Sequence, residues 1–207
     1  MSYKVLIVDD QKMQRKALEA YISEMSDFTV EAVLSEAELA VGYCARHYVD
    51  LVVMDIVMHT GMNGIDACER IKNKSPKTKV ILVTSMLDAS YLKKGREAKA
   101  DALWYKEQED DELKAVCLRV MSGESVYPDS APVTAMGVAN SAEFTEAELE
   151  ILHLLVGGDT DQEIADKLYI SVWTVRTHIK SLLQKTGYKN RVELAVNARS
   201  SGIIADS

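Results

Sequence analysis

Two short apolar runs, each closing on acid, constrain this chain more than any other feature. Lys4-Val5-Leu6-Ile7-Val8 is followed by Asp9-Asp10, and Leu51-Val52-Val53-Met54 by Asp55. Runs this short, rich in branched residues and without polar alternation, suit strands buried on both faces, as in a parallel sheet covered by helices. The residue that ends such a strand projects from the carboxyl edge of the sheet, where open α/β folds bind ligands. Two strands ending in carboxylates therefore predict a site at that edge.

The pattern continues along the N-terminal part. A helix is expected over 12–25, with Met13, Ala17, Leu18 and Tyr21 on one side, then a strand over 28–34 and a helix over 36–46. The loop His59-Thr60-Gly61-Met62-Asn63-Gly64 is full of turn residues and precedes a helix over 65–72. Strands at 80–83 and 102–105 and helices at 88–98 and 110–121 complete a strand–helix alternation that implies a flavodoxin-like, doubly wound α/β domain. Residues 1–121 form this domain, 122–142 read as an interdomain linker carrying Pro128 and Pro132, and 143–207 are helical only.

In the strand order 2-1-3-4-5 the first and third strands are neighbours, so Asp9 and Asp10 converge on Asp55. Carboxylates crowded together raise one another's pKa unless a cation joins them. Magnesium suits such a site, since it takes oxygen ligands, keeps several waters and bridges carboxylates to phosphate. Thr84 and Lys106 end the fourth and fifth strands and border the same pocket. A carboxylate nucleophile, a metal site, a hydroxyl and a fixed cation are the parts for phosphoryl transfer to an aspartate.

These residues resemble the receiver domain of bacterial two-component response regulators: Val8-Asp9-Asp10, Asp55 within DLVVMDIVM, Met62-Asn63-Gly64, Thr84-Ser85 and Lys106. The resemblance implies that Asp55 accepts a phosphoryl group from a histidine kinase. It also implies that Asp9, Asp10, Asp55 and the backbone carbonyl of Val57 hold magnesium, and that Thr84 and Lys106 contact the phosphoryl oxygens. The chain departs from the family in three places. His59 stands where the family has proline, the loop from Asp55 to Gly64 is one residue longer, and Leu103 occupies the aromatic switch position, with Trp104 and Tyr105 after it.

The C-terminal part opens with Thr145 and Glu148 spaced as a capping box. Helices are expected to Val156 and over 161–168, 172–185 and 191–200. On the third, Val172, Val175, Ile179 and Leu182 form one stripe, while Trp173, Arg176, Thr177, Lys180 and Gln184 form another face. The short connection Tyr169-Ile170-Ser171, with Ser171 as N-cap, makes the second and third helices a helix-turn-helix. Between Val172 and Arg191 the charged residues are all basic (Arg176, Lys180, Lys185, Lys189 and Arg191), although the net charge of the chain is −8.

FTEAELEIL, QEIADKLYISVWTVRTHIKSLLQKTG and RVELAV resemble the LuxR-type helix-turn-helix domain. This implies that Arg176, Thr177 and Lys180 face the major groove, with Trp173, Thr174, Lys185 and Lys189 nearer phosphates. Leu194, Ala195, Val196 and Ala198 are the implied dimer contacts, and His178 is read as helix packing or phosphate-proximal. The expected protein is a NarL/FixJ-type transcription factor and not an enzyme. Its expected partners are DNA, a histidine kinase, RNA polymerase and a second copy of itself.

Composition adds exclusions. No apolar stretch approaches the ~20 residues of a membrane helix, and Asp9 and Asp10 interrupt any leader-like segment, so a cytoplasmic location is expected. Cys44, Cys68 and Cys117 have no metal-like spacing and read as reduced packing residues. Two rival readings are an atypical receiver controlled by a protein or ligand without phosphorylation, and a phosphotransfer enzyme or phosphatase with a protein-binding tail.

Overall fold

The computed structural model describes residues 2–58, 61–85, 90–106 and 110–204. Two compact units emerge, one built mainly from the described residues up to Ser130 and the other mainly from those after it. In the first, β1 (Tyr3–Val8), α1 (Lys12–Ser23), β2 (Phe28–Leu34), α2 (Ala37–Cys44), β3 (Leu51–Asp55), α3 (Gly64–Lys74), β4 (Lys79–Thr84), α4 (Ser90–Glu97), β5 (Ala102–Tyr105) and α5 (Asp110–Met121) alternate along the chain. The strands form one parallel sheet in the order β2-β1-β3-β4-β5. Val5–Val8, Leu51–Met54 and Val80–Val83 are completely buried, which explains why these strands lack polar alternation.

Pleating divides the strand side chains between two layers. Val5, Ile7, Val53, Ile81, Val83 and Trp104 pack with Leu18 and Ile22 of α1 and with Leu113, Cys117 and Val120 of α5. The buried side of α1 is set by Leu18 and Ile22, whereas Met13 and Ala17, expected on that side, are exposed.

The segment expected as a linker is not structureless. Val126 forms a parallel bridge to Ala102: its N–H donates to the Asp101 carbonyl at 2.9 Å, and Leu103 N–H donates to the Val126 carbonyl at 3.1 Å. This covers the open side of β5, an edge that would otherwise expose unpaired backbone groups. Beyond it, β6 (Ala135–Met136) and β7 (Ala139–Asn140) make a small antiparallel hairpin whose Met136 and Ala139 enter the second core.

That second core belongs to α6 (Glu146–Val156), α7 (Asp161–Leu168), α8 (Val172–Thr186) and α9 (Arg191–Ser200). Ile151, Leu152, Leu155, Ile164, Val175, Leu182, Leu194 and Ala198 meet at its centre. Each helix start is capped by a side chain. Thr145 with Glu148 and Thr160 with Glu163 form capping boxes, Ser171 accepts from Thr174 N–H, and Asn190 accepts from Val192 and Glu193 N–H. Tyr169 ends α7 in the left-handed region at φ 55°, a conformation that turns the chain sharply into α8.

Candidate phosphoacceptor site and nucleic-acid interface

Strand register assembles the acidic site. Val8 pairs with Met54, Asp55 with Val83, and Thr84 with Tyr105, so Asp9, Asp55, Thr84 and Lys106 all emerge at one carboxyl edge. Lys106 is locked there by its N–H, which donates to the Thr84 carbonyl at 2.8 Å. Its ammonium donates to Asp9 Oδ2 at 2.7 Å and to Asp55 Oδ1 at 2.6 Å. Gln11 N–H donates to Asp9 Oδ1 at 2.8 Å, and Arg15 Nη1 to the Asp9 carbonyl at 2.6 Å. Asp9, Asp55 and Thr84 are buried.

Burial dominates the electrostatics of Asp55. Desolvation pushes its carboxyl up to about 6, Lys106 pulls it back, and Asp9 and Asp10 push it up again. For Lys106, burial opposes the charge, but Asp55 and Asp9 outweigh it and the ammonium is held above its ordinary value. One cation thus faces several acids, and the site still favours positive charge. Its donors are hard oxygens, the set that magnesium prefers. Among the described residues no three acidic, His or Cys groups are arranged as a finished metal cage.

The loop after Asp55 approaches the site closely. Gly64 N–H donates to the Ile56 carbonyl at 2.9 Å, and a Cβ at Gly64 would collide with the Asp55 carbonyl, so glycine is needed there for space. Met62 N–H donates to Glu38 Oε1 at 2.6 Å, and Asn63 caps α3 by accepting from Asp66 N–H. His59 lies outside the described residues. At the switch position Leu103, Trp104 and Tyr105 are all buried. Trp104 packs in the α1–α5 layer, and Tyr105 is the register partner of Thr84.

In the second unit, Trp173, Arg176, Thr177, Lys180 and Gln184 are exposed along α8, while Val175, Ile179 and Leu182 are buried. Thr174 is partly buried and its hydroxyl shares a 2.8 Å hydrogen bond with that of Ser171. Lys189 is exposed. His178 lies between the two faces, partly buried.

Two expectations change. Lys185, expected near phosphates, donates to Glu148 Oε2 at 2.6 Å and to the Glu143 carbonyl at 2.7 Å, so its charge is matched inside the domain. Leu194 and Ala198, expected at a dimer contact, are completely buried in the domain's own core and cannot reach a partner. Ala195 packs against the same core, whereas Val196 is exposed, together with Val192 one turn earlier. The sequence reading also missed Asp161, which accepts from Arg176 Nε at 2.9 Å and from Arg191 Nη1 at 2.7 Å.

Comparison with known proteins accounts for both halves. Residues 5–117 match the response regulator receiver domain, and residues 142–198 match the bacterial regulatory proteins of the luxR family. The response regulator protein VraR of Staphylococcus aureus is 30% identical over 99% of this chain and 100% of its own length. Among solved structures, the response regulator ChrA of a heme-sensing two-component system is 25% identical, with a TM-score of 0.52 over 98% of this chain and 99% of that one. An RcsB–DNA complex shares the fold at 20% identity, with a TM-score of 0.62 over 97% of this chain and 99% of that one. No helix among the described residues is long and apolar enough to cross a membrane. The chain belongs to the response regulators that couple a receiver to a LuxR-type DNA-binding domain, and it is a transcription regulator, not an enzyme.

Proposed function

We propose that Asp55 accepts a phosphoryl group from a histidine kinase and that this modification controls DNA binding by the C-terminal domain. The observation that carries this reading is the buried Lys106 ammonium bridging Asp9 and Asp55 at the sheet edge. An Asp55 oxygen forms the new bond to phosphorus as the bond from phosphorus to the donor's imidazole nitrogen breaks, and the nitrogen keeps the electron pair. With its carboxyl at about 6, Asp55 is mostly ionised at neutral pH, as a nucleophile must be. Lys106 and Thr84 then face the phosphoryl oxygens, while Asp9, Asp10, Asp55 and the Val57 carbonyl would be the oxygen ligands for magnesium. Bound there, magnesium supplies the positive charge that phosphoryl transfer requires.

The modified aspartate carries roughly −1.5 to −2 charge near neutral pH and biases the receiver between two states. In the DNA-binding domain, α8 enters the major groove through Arg176, Thr177 and Lys180, with Trp173, Thr174 and Lys189 beside it. Val192 and Val196 on the outer side of α9 form the contact between two copies on adjacent half-sites. The cytoplasm, where kinase, DNA and RNA polymerase meet, is the proposed location. His59 and Leu103 favour a second reading, a receiver controlled by a protein or ligand without phosphorylation.

Intact-mass measurement after incubation with acetyl phosphate and magnesium separates the two. One added phosphoryl group that is absent in Asp55→Asn is expected. Uptake that persists in Asp55→Asn removes Asp55 as acceptor, and no uptake by the unaltered protein favours the second reading.

A further inference from the structure

Arg176 does not stand alone on the exposed face of α8. Its Nε donates to Asp161 Oδ2 at 2.9 Å, and Arg191 Nη1 donates to Asp161 Oδ1 at 2.7 Å. Arg191 Nη2 also donates to the Asp159 carbonyl at 2.9 Å, which steadies the carboxylate from the α9 side. Asp161 is the first residue of α7, where the unpaired N–H groups of a helix start favour an anion, and the Thr160–Glu163 capping box fixes that turn. A carboxylate anchored in one helix thus grips an arginine of the next.

We propose that Asp161 is a positioning residue for base recognition: by holding Arg176 through Nε, it presents the two Nη nitrogens to a guanine edge in the major groove. The proposal rests on α8 being the DNA-reading helix. Arginine meets the O6 and N7 of guanine with paired donors, and Nε is not needed for that contact. A long side chain with many rotamers reads a base poorly unless something restricts it.

Stability does not account for the pair. The Arg176 side chain is 70% exposed and that of Asp161 21%, and ion pairs this open to water contribute little to folding. General affinity for phosphate does not account for it either, because a carboxylate beside a basic face opposes it. Lys180, which lines the same recess of about 190 Å³ as Asp161, Arg176 and Arg191, has no carboxylate partner among the described residues. On α8 the restraint is therefore applied to the helix's one arginine, whose planar head suits a bidentate contact.

The test uses the full chain, with and without acetyl phosphate and magnesium, and a random-sequence duplex library from which bound DNA is selected. Affinities are then measured for the selected duplex and for each single base-pair change, over a range of salt. A guanine preference that Arg176→Ala removes is expected. Asp161→Ala should lower that preference about tenfold, leave the salt slope unchanged, and have no further effect at that position in an Arg176→Ala background. Asp161→Asn, which keeps one acceptor, should lose less. An unchanged preference in Asp161→Ala overturns the proposal. So does a uniform change for all duplexes with the guanine preference intact, or an equal loss of preference in the Arg176→Ala background. If the unaltered chain selects no sequence under either condition, the DNA-reading role of α8 falls and the proposal falls with it. If selection persists while Asp161→Ala retains the preference, only the proposal falls.

Discussion

Each unit of this protein buries a lysine–carboxylate contact of nearly the same length, with opposite electrostatic results. In the receiver, Lys106 lies 2.6 Å from Asp55, whose carboxyl is pushed up to about 6. In the DNA-binding domain, Lys185 lies 2.6 Å from Glu148, whose carboxyl is brought down to about 2. Burial raises both groups, so the difference comes from the company each keeps. Asp55 shares its cation with Asp9 and feels Asp10 as well. Glu148 shares Lys185 with no second carboxylate among the described residues, only with the neutral Glu143 carbonyl, and also accepts from Thr145 N–H, the Thr145 hydroxyl and the Ser181 hydroxyl. The ion pair alone decides nothing; the balance of donors against acids does. One site holds more acid than its single cation matches, and the other is a finished joint between α6 and α8.

The largest effect expected from this contrast comes from removing the cation of the finished joint. Lys185→Met leaves Glu148 buried without its counter-charge and should destabilise the DNA-binding domain by about 3 kcal/mol. Hydrogen exchange read on peptides of α6 and α8 should show the loss, with β1 and β3 unchanged. Undiminished protection would mean that the joint does not hold these helices together.

How much of this was legible in the sequence follows from the same physics. Strands buried on both faces leave unbroken apolar runs, so Val5–Val8 and Leu51–Met54 could be recognised, and with them the sheet order that gathers Asp9, Asp55, Thr84 and Lys106. Helix-period reasoning also separated the exposed and buried faces of α8. The partner of Lys185 lies on another helix and far away in the chain, so an acid-free basic stretch looked like a phosphate surface. In α9, apolar residues occur at positions 192, 194, 195, 196 and 198, nearly all around the helix. No period selects a face there, so the pattern offers no check on the dimer contacts that the family resemblance implies for Leu194 and Ala198. Met136 and Ala139 anchor a hairpin too short to carry any period.

The receiver should answer its own substitution with the opposite sign. Asp55→Asn removes a carboxylate whose charged form is disfavoured in the folded state. The rise from 3.8 to about 6, at about 1.4 kcal/mol per unit and reduced because an amide does not reproduce the hydrogen bonding of the protonated acid, predicts a gain of about 1–2 kcal/mol at pH 7. Urea unfolding followed by the fluorescence of buried Trp104 measures it. A pH series sharpens the point. Because the folded value lies above the unfolded one, this contribution is fully present below pH ~4 and is lost as pH rises towards 6. That slope should vanish in Asp55→Asn, and a slope that survives would assign it to another group.

Ser181→Ala gives the smallest effect and the most direct test of the donor balance. The Ser181 hydroxyl donates to Glu148 Oε1 at 2.7 Å, and its loss removes one donor while leaving Lys185 in place. A cost of about 1 kcal/mol is expected at neutral pH. Glu148 has a folded value below its unfolded one, so its contribution is present above pH ~4.5 and is lost as pH falls towards 2. With one donor fewer the folded value rises towards the unfolded one, and acid should loosen α6 and α8 at a higher pH than in the unaltered chain. Acid-titrated hydrogen exchange of those helices reads the displacement. An acid limb that stays in place would show that Lys185 alone holds Glu148 down, and the contrast with Asp55 would then rest on the shared cation instead of on the count of donors.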